Sequence, residues 1–273
     1  MTRRGASILT SAVMLLLSCL MAVPFYYVVV NTFKSQGEMA ASPFGLPHSW
    51  SLQNYRHAFD TLPVVRAFFN TLYVTAASVV LMLLVGSMAA FAMIYRKSRL
   101  HTVFGAILLA AFLVPYQSTI IPLYQMLVDA ELVDSLNGLV VIYLAGAVFC
   151  YFIIIGYMRS VPLEILEAAR IDGAGAVRIY WAIVLPLVRP VLITVGVFQT
   201  MWVWNDYISP TILLSTPEKS TLVLLASQAV AQFTTDWPAF MTITVIVLIP
   251  MVIFFLTMQK YIVEGLVAGS VKG

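Results

Sequence analysis

Seven charged side chains lie in and directly before the segment 160–190, although only 10% of the residues in the chain are charged. They are Arg159, Glu164, Glu167, Arg170, Asp172, Arg178 and Arg189. Long apolar runs flank this segment on both sides. Carboxylates and guanidinium groups on a water-exposed segment pair with charged groups of a partner protein. The residue types therefore predict a docking surface.

Residue types that bind metals or nucleotides are sparse. His48, His57 and His101 fall in predicted loops without partner ligands at metal-binding spacing, and Cys19 and Cys150 fall in apolar runs. The chain has no G-x-x-x-x-G-K-[S/T] loop and no nucleophile–base pair at membrane depth. We therefore predict no catalytic residue, no metal site and no cofactor in this chain. Its net charge of +3 is scattered over short loops and does not predict nucleic-acid binding.

Apolar runs of about 20 residues or more set the fold class. Hydrophobic residues make up 61% of the 273-residue chain, and the runs are continuous, whereas a membrane β-barrel needs short alternating strands. The sequence therefore predicts an all-α membrane protein with six transmembrane helices, the first of them retained and not cleaved as a signal peptide. Their predicted ranges are 8–30, 67–95, 103–123, 138–158, 191–213 and 239–259. Two longer connections, 31–66 and 216–237, join them on one side, and the first of these has a predicted short interfacial helix around 52–59.

The basic residues predict the orientation. One set of loops contains eleven of them, namely Arg3, Arg4, Arg96, Lys97, Arg99, Arg159, Arg170, Arg178, Arg189, Lys260 and Lys272, and the other set contains only Lys34, Arg56, Arg66 and Lys219. Cytoplasmic loops are richer in Lys and Arg. Both termini and the 160–190 segment are therefore predicted to be cytoplasmic.

The 160–190 segment has internal order. Pro162 suits the start of a helix, and Glu164 and Glu167 then fall in its early turns, where the helix dipole favours carboxylates. Asp172-Gly173 is a turn signal, and a second short helix is predicted over 176–184. We interpret the segment as a helix–turn–helix docking element; the alternative is a solvated loop that only joins two spans.

Polar side chains in the third and fifth spans are candidates for a translocation path. They are Gln117, Ser118, Gln199, Trp202, Asn205 and Asp206. Aromatic faces and amides suit a polar ligand, but helix–helix hydrogen bonds explain the glutamines equally well. The spacing of the fifth span places Asp206 near the outer interface, where it either lines the outer mouth or belongs to an interfacial anchor.

A longer pattern then indicates a family. Glu167-Ala168-Ala169, three residues, Gly173, nine residues, and Ile183-x-Leu185-Pro186 form the motif of the EAA loop, which is typical of ABC importer permeases. Weaker marks resemble the carbohydrate-uptake branch, to which the maltose permease subunit belongs. They are Asn31-Thr32-Phe33-Lys34, Leu52-x-Asn54-Tyr55, Asn70-Thr71-Leu72, Trp204-Asn205-Asp206 and the terminal GLVAGSVKG.

The resemblance implies a type I (MetI-like) permease with residues 67–260 as its transmembrane core, after a first helix and outer loop (1–66) and before a cytoplasmic tail (261–273). It implies a coupling role for Glu164, Glu167, Ala168, Ala169, Asp172, Gly173, Leu185 and Pro186. The implied partners are a second permease subunit, two ATPase subunits that bind ATP and Mg²⁺, and an extracytoplasmic sugar-binding (lipo)protein, all at the bacterial inner membrane. The alternative, an ion-coupled secondary transporter, predicts inverted repeats and deep charges, and neither is evident.

Overall fold

The computed structural model describes residues 3–95, 98–232 and 236–270, and this part of the chain contains helices and loops but no strand. Fifteen α-helices follow one another along it. In chain order they are α1 (Arg3–Asn31), α2 (Gln36–Ala41), α3 (Gln53–Thr61), α4 (Val64–Tyr95), α5 (Arg99–Phe112), α6 (Tyr116–Asp129), α7 (Leu136–Tyr143), α8 (Ala147–Met158), α9 (Leu163–Ile171), α10 (Ala176–Ile179), α11 (Leu185–Leu187), α12 (Arg189–Trp204), α13 (Ile208–Leu213), α14 (Leu222–Gln232) and α15 (Trp237–Ser270).

The described residues contain four helices that are long and apolar enough to span a membrane, or the predicted six spans if each of two bent helix pairs counts as one. The four unbroken spans, judged by length and composition, are Thr10–Asn31, Val64–Tyr95, Leu136–Met158 and Trp237–Ile262. Two more are pairs of helices bent at a short break, by 102° between α5 and α6 and by 75° between Ala176–Leu187 and α12.

The first break interrupts the predicted single helix 103–123, whereas the second lies just before the predicted helix 191–213, which instead ends at Trp204. The first break lies at residues 113–115, where Pro115 precedes α6 and has no N–H to continue a helical ladder. The second lies at Val188, between Pro186 and Pro190. Pro190, in the first turn of α12, likewise has no N–H to bond back across the second break.

The chain divides into two compact units. One comprises Met1–Val65 with Leu225–Pro250, and the other Arg66–Leu224 with Met251–Gly273. In the second unit, α4 packs closely on α8: a Cβ placed on Gly86 would lie 2.6 Å from Cys150 Cβ and 2.9 Å from the Ala147 carbonyl oxygen. Gly86 therefore permits a close approach of the two helices, as small residues do in lipid.

In the first unit, two of the weak sequence marks meet. The Asn54 amide donates to the carbonyls of Thr32 and Lys34 at 2.8 and 2.9 Å, and Tyr55 Oη donates to Thr32 Oγ1 at 3.0 Å. Lys34 is 1% exposed and donates to the Ser42 carbonyl at 2.8 Å. The turn that ends α1 is therefore fastened by the short helix α3, close to where an interfacial helix was predicted.

Two further elements differ from expectation. The predicted outer loop 216–237 contains the eleven-residue helix α14, of which Leu222, Leu225 and Ala229 are buried. The last helix is also longer than predicted, because α15 continues beyond residue 259 to Ser270, although its apolar span ends at Ile262. Arg96, Lys97 and Lys272, which contributed to the orientation, lie outside the described residues.

Candidate coupling surface and translocation path

The predicted docking helix is α9, a nine-residue helix. Pro162 directly precedes it with φ −58° and ψ 129°, a conformation that a proline ring favours. Glu164 lies in its first turn and Arg170 in its last, so each charge lies at the helix end where the helix dipole stabilises it.

Gly173 ends α9 in a Schellman motif. The N–H of Ala174 donates to the Ala169 carbonyl at 2.9 Å and the N–H of Gly173 donates to the Arg170 carbonyl at 3.0 Å, which is the paired bonding of that motif. Gly173 has φ +79°, a left-handed backbone that only glycine adopts without cost. Asp172 occupies the C-cap position. The predicted turn is confirmed at this residue.

The two faces of α9 differ in exposure. Leu166 and Ala169 are 5% and 8% exposed and belong to the core. On the opposite face Glu164, Glu167, Ala168 and Ile171 are exposed at helical spacing, and Ile171 is 86% exposed. Ala169 was predicted with the docking residues, but it packs inward. A surface of carboxylates around an uncovered isoleucine remains free for a partner.

Arg170 fastens α9 to the end of α4, and sequence reasoning did not find this contact. Its guanidinium donates to the Tyr95 carbonyl and stacks 3.9 Å from the centre of the Tyr95 ring. Tyr95 packs on Phe91, and Phe91 packs on Tyr180, with ring centroids 5.0 and 5.6 Å apart. Tyr180 Oη in turn lies 2.8 Å from Ser87 Oγ.

Leu185 and Pro186 complete the sequence motif within a longer helical run than expected. Residues 176–187 are helical throughout, with a π-helical turn at Tyr180–Val184 that brings the N–H of Leu185 to the Tyr180 carbonyl. π turns occur where the regular bonding pattern is interrupted. The second half of the docking element is therefore also the first half of a broken span.

Asp206 does not lie inside a helix. The fifth span stops at Trp204, and Asp206 lies just before Tyr207, the N-cap of α13. Its Oδ1 accepts from the N–H of Ile208 at 3.0 Å and its Oδ2 from the N–H of Ser209 at 3.2 Å. An Asp side chain bonds to backbone N–H groups two or three residues later wherever it begins a helix. This local bonding explains the break.

The Asp206 carboxylate is also the centre of a polar network. Oδ2 accepts from Tyr143 Oη at 2.8 Å and from the Ser209 hydroxyl, and Ser209 Oγ lies 2.8 Å from Tyr116 Oη. Trp202 packs edge-on against Tyr143, with centroids 5.5 Å apart, and is 43% exposed. The network therefore joins α6, α7 and α13 around one carboxylate.

The remaining path candidates separate. Gln199 is 5% exposed and donates to the Gly146 carbonyl at 3.0 Å, so its amide serves a helix–helix contact. Asn205 is exposed and donates to the Met201 carbonyl of its own helix at 2.7 Å. Gln117 and Ser118 are exposed in the first turn of α6, beside the first break. The structure groups Trp202 with Asp206 and leaves the glutamines apart.

A second carboxylate that sequence reasoning missed binds two loops together. Asp134, in the positive-φ region at 52°, accepts from the N–H groups of Ser215 and Thr216 at 2.9 and 3.0 Å and from Lys219 Nζ at 3.0 Å. Hydrogen bonds from Thr216 and Ser215, with a smaller effect of Lys219, hold the pKa of Asp134 well below its usual range. The loop after α6 is thereby fixed to the loop after α13.

Comparison with known proteins identifies the family. Residues 82–267 match the family model described as "Binding-protein-dependent transport system inner membrane component". The chain belongs to this family. The permease is 36% identical over 259 residues to the probable starch degradation products transport system permease protein AmyC of Thermoanaerobacterium thermosulfurigenes, over 94% of each chain. It is 31% identical over 263 residues to the melibiose/raffinose/stachyose import permease protein MelC of Bacillus subtilis (strain 168), again over 94% of each.

A solved structure confirms the fold of the permease. A chain of a bacterial ABC transporter involved in the import of the acidic polysaccharide alginate superposes with a TM-score of 0.86 at 23% identity, over 96% of this permease and 98% of that chain. The permease therefore has the ABC importer, MetI-like fold. Within residues 3–95, 98–232 and 236–270, no group of three or more His, Cys, Asp or Glu side chains could hold a metal ion.

Proposed function

We propose that this permease subunit imports a sugar or sugar derivative, using ATP that a separate ATPase subunit hydrolyses. The relatives named above are permeases for starch degradation products and for melibiose, raffinose and stachyose. Membership of a binding-protein-dependent family supports substrate delivery by an extracytoplasmic binding (lipo)protein. ATP and Mg²⁺ then belong to the ATPase, and the permease itself binds no cofactor.

The proposed assembly contains two different permease subunits and two ATPase subunits in the bacterial inner membrane. The distribution of basic residues supports cytoplasmic termini and a cytoplasmic α9. With this orientation, α9 faces the compartment in which ATP is hydrolysed.

The single observation that carries the coupling role is the exposed face of α9. Glu164, Glu167 and Ile171 project from a helix that is held from behind by Leu166 and Arg170. An uncovered apolar side chain flanked by carboxylates suits a cleft with an apolar floor and a basic rim. Because α9 is packed against α4, a movement of the docked partner is transmitted to a membrane span.

Charge reversal on this face tests the proposal. We expect Glu167→Lys to weaken association with the ATPase subunit and to lower substrate-stimulated ATP hydrolysis, while the protein still inserts in the membrane. Glu218→Lys is the matched control, because Glu218 is an exposed glutamate in a loop assigned to the opposite side. Co-purification of the ATPase subunit and ATPase activity in proteoliposomes measure both effects. Normal coupling in Glu167→Lys would contradict the docking role of α9.

For the translocation path, we propose that Asp206 and the Tyr116, Tyr143 and Ser209 hydroxyls hold the outer part of the path in shape. The exposed Trp202 ring, packed against Tyr143, offers an apolar face of the kind that stacks on a sugar ring. Gln117 and Ser118 remain proposed path residues because they are exposed beside the break between α5 and α6.

A further inference from the structure

A cavity of about 910 Å³ lies where the end of α4, the start of α5 and the end of α8 meet. Leu163 at the start of α9 belongs to its lining, but Glu164, Glu167 and Ile171 do not, and neither does the network around Asp206. Its lining is of two kinds. Polar and basic side chains come from the residues at the ends of the helices, namely Ser98, Arg99, His101, Thr102 and Arg159. The residues further along α5 and α8 are mainly apolar, among them Leu109, Phe152 and Ile155, and the Tyr151 hydroxyl beside Gly105 is the polar exception.

The basic end of the cavity has no matching carboxylate. Arg99 and Arg159 are both exposed, no Asp or Glu belongs to the lining, and neither arginine forms an ion pair with any described carboxylate. Ser98 is the N-cap of the fourteen-residue α5, and its Oγ lies 2.7 Å from His101 Nδ1. The partial positive charge of this helix start adds to that of the two guanidinium groups. An anionic group is therefore favoured at this end.

The apolar part of the cavity has the depth of one membrane leaflet. From Arg99 to Leu109 the rise along α5 is about 15 Å, and from Arg159 to Phe152 along α8 it is about 10 Å. The hydrocarbon core of a bilayer is about 30 Å thick, so each leaflet spans about 15 Å. Gly105 and Ala106 leave the wall of α5 bare of large side chains at mid-depth.

We propose that this cavity binds one anionic phospholipid of the cytoplasmic leaflet. Its phosphate lies between Arg99 and Arg159 at the start of α5, and an acyl chain lies along Gly105, Leu109 and Phe152. Arginine pairs with phosphate through two parallel N–H···O bonds, and basic pockets between transmembrane helices on the cytoplasmic side bind acidic headgroups. The orientation predicted from the basic residues places this end of α5 and α8 at the cytoplasmic surface. The bound lipid would brace α5 against α8 close to the docking element.

Two kinds of variant test the basic end of the cavity and the shape of its apolar part separately. Arg99→Gln with Arg159→Gln removes the charge, and Gly105→Phe fills the slot. A Cβ at residue 105 would meet only Tyr151 Oη, at an ordinary 3.5 Å, so a side chain can begin there without a collision with backbone. Arg66→Gln is the charge control, at the far end of α4. Gly156→Phe is the shape control, because nothing lies within 4 Å of a Cβ there.

Native mass spectrometry of the full chain, with equimolar phosphatidylglycerol and phosphatidylcholine, measures its preference for the anionic lipid over the zwitterionic one. The wild type and both controls should retain phosphatidylglycerol selectively. Each Arg near the membrane surface adds about 1 kcal/mol, so the double variant should bind it about 30-fold more weakly, a change of about 2 kcal/mol. Gly105→Phe should lose the lipid although both arginines remain, and inorganic phosphate in hundredfold excess should not displace it.

Three outcomes would overturn the proposal. They are equal retention of the two lipids by the wild type, a preference that persists in the double variant and in Gly105→Phe, and displacement by inorganic phosphate, which would assign the basic end to a free anion. The wild-type comparison needs no substitution, so it decides the question even if a variant does not fold.

Discussion

Gly173 offers the sharpest test of how the docking helix is built, because its matched control lies two residues away. Nothing lies within 4 Å of a Cβ at Gly173 or at Gly175, so alanine causes no collision at either position. The backbones differ: Gly173 has φ +79°, whereas Gly175 has φ −72°. An L-residue in the left-handed region costs about 1–2 kcal/mol, and at φ −72° alanine costs nothing.

In Gly173→Ala this cost acts on the Schellman motif. If the ATPase subunit binds only the form in which Gly173 and Ala174 close the end of α9, a penalty of about 1–2 kcal/mol lowers the apparent affinity about 5- to 30-fold. Gly175→Ala should bind normally, since alanine at an unstrained position restricts only the unfolded chain. Titration of the purified ATPase subunit against each variant in nanodiscs measures the difference. Equal affinities for the two variants would refute the role of the left-handed turn.

Three further predictions concern packing, the polar network and pH. Gly86→Ala should lower the midpoint of thermal unfolding in detergent, because overpacking of a close helix contact costs about 1–3 kcal/mol. Gly156→Ala should not lower it, because nothing lies within 4 Å of a Cβ at Gly156. Equal midpoints for the two variants would contradict the close contact. Asp206→Asn should change transport kinetics without loss of subunit assembly, and Asn205→Ala should change them less; unaltered kinetics in Asp206→Asn would favour an interfacial anchor. The pKa of Asp134 is lowered in the folded state, so the ionised carboxylate stabilises the fold. Its contribution to the free energy of unfolding should be complete above about pH 4 and should decline as the pH falls below that value. The stability difference between wild type and Asp134→Asn should therefore be constant at neutral pH and shrink in acid, and a difference that grows in acid would contradict this.

The sequence was most informative where chemistry is local. The order of the docking element follows from Pro162, the early carboxylates and Gly173, because a proline start and a left-handed glycine end act within a few residues. The four unbroken spans and the two bent pairs all follow from summed hydropathy. Gly86 could be predicted as a close-contact residue because packing in lipid depends on small side chains.

The sequence was least informative where a backbone break sits inside an apolar run. A hydropathy sum over about 20 residues does not change when the chain bends by 102° at Leu113–Pro115, although Pro115 was a usable signal. The helix α14 also had a readable pattern, since Leu222, Leu225 and Ala229 share one helical face. The hydrogen bond between Tyr143 and Asp206 joins residues 63 positions apart, and no local sequence pattern around either residue indicates it.

The contact of Arg170 with Tyr95 connects the predicted docking helix α9 to a membrane span, which its exposed face alone does not do. An exposed helix on a loose loop would follow its partner without moving the spans. Here the guanidinium is bound to the last carbonyl of α4 and stacked on its last ring, and the Phe91 and Tyr180 rings continue the packing inward. Close-packed groups of this kind resist compression and transmit displacement. If a docked partner moves α9, we therefore expect the displacement to reach α4 at Tyr95 and the broken span at Tyr180 together.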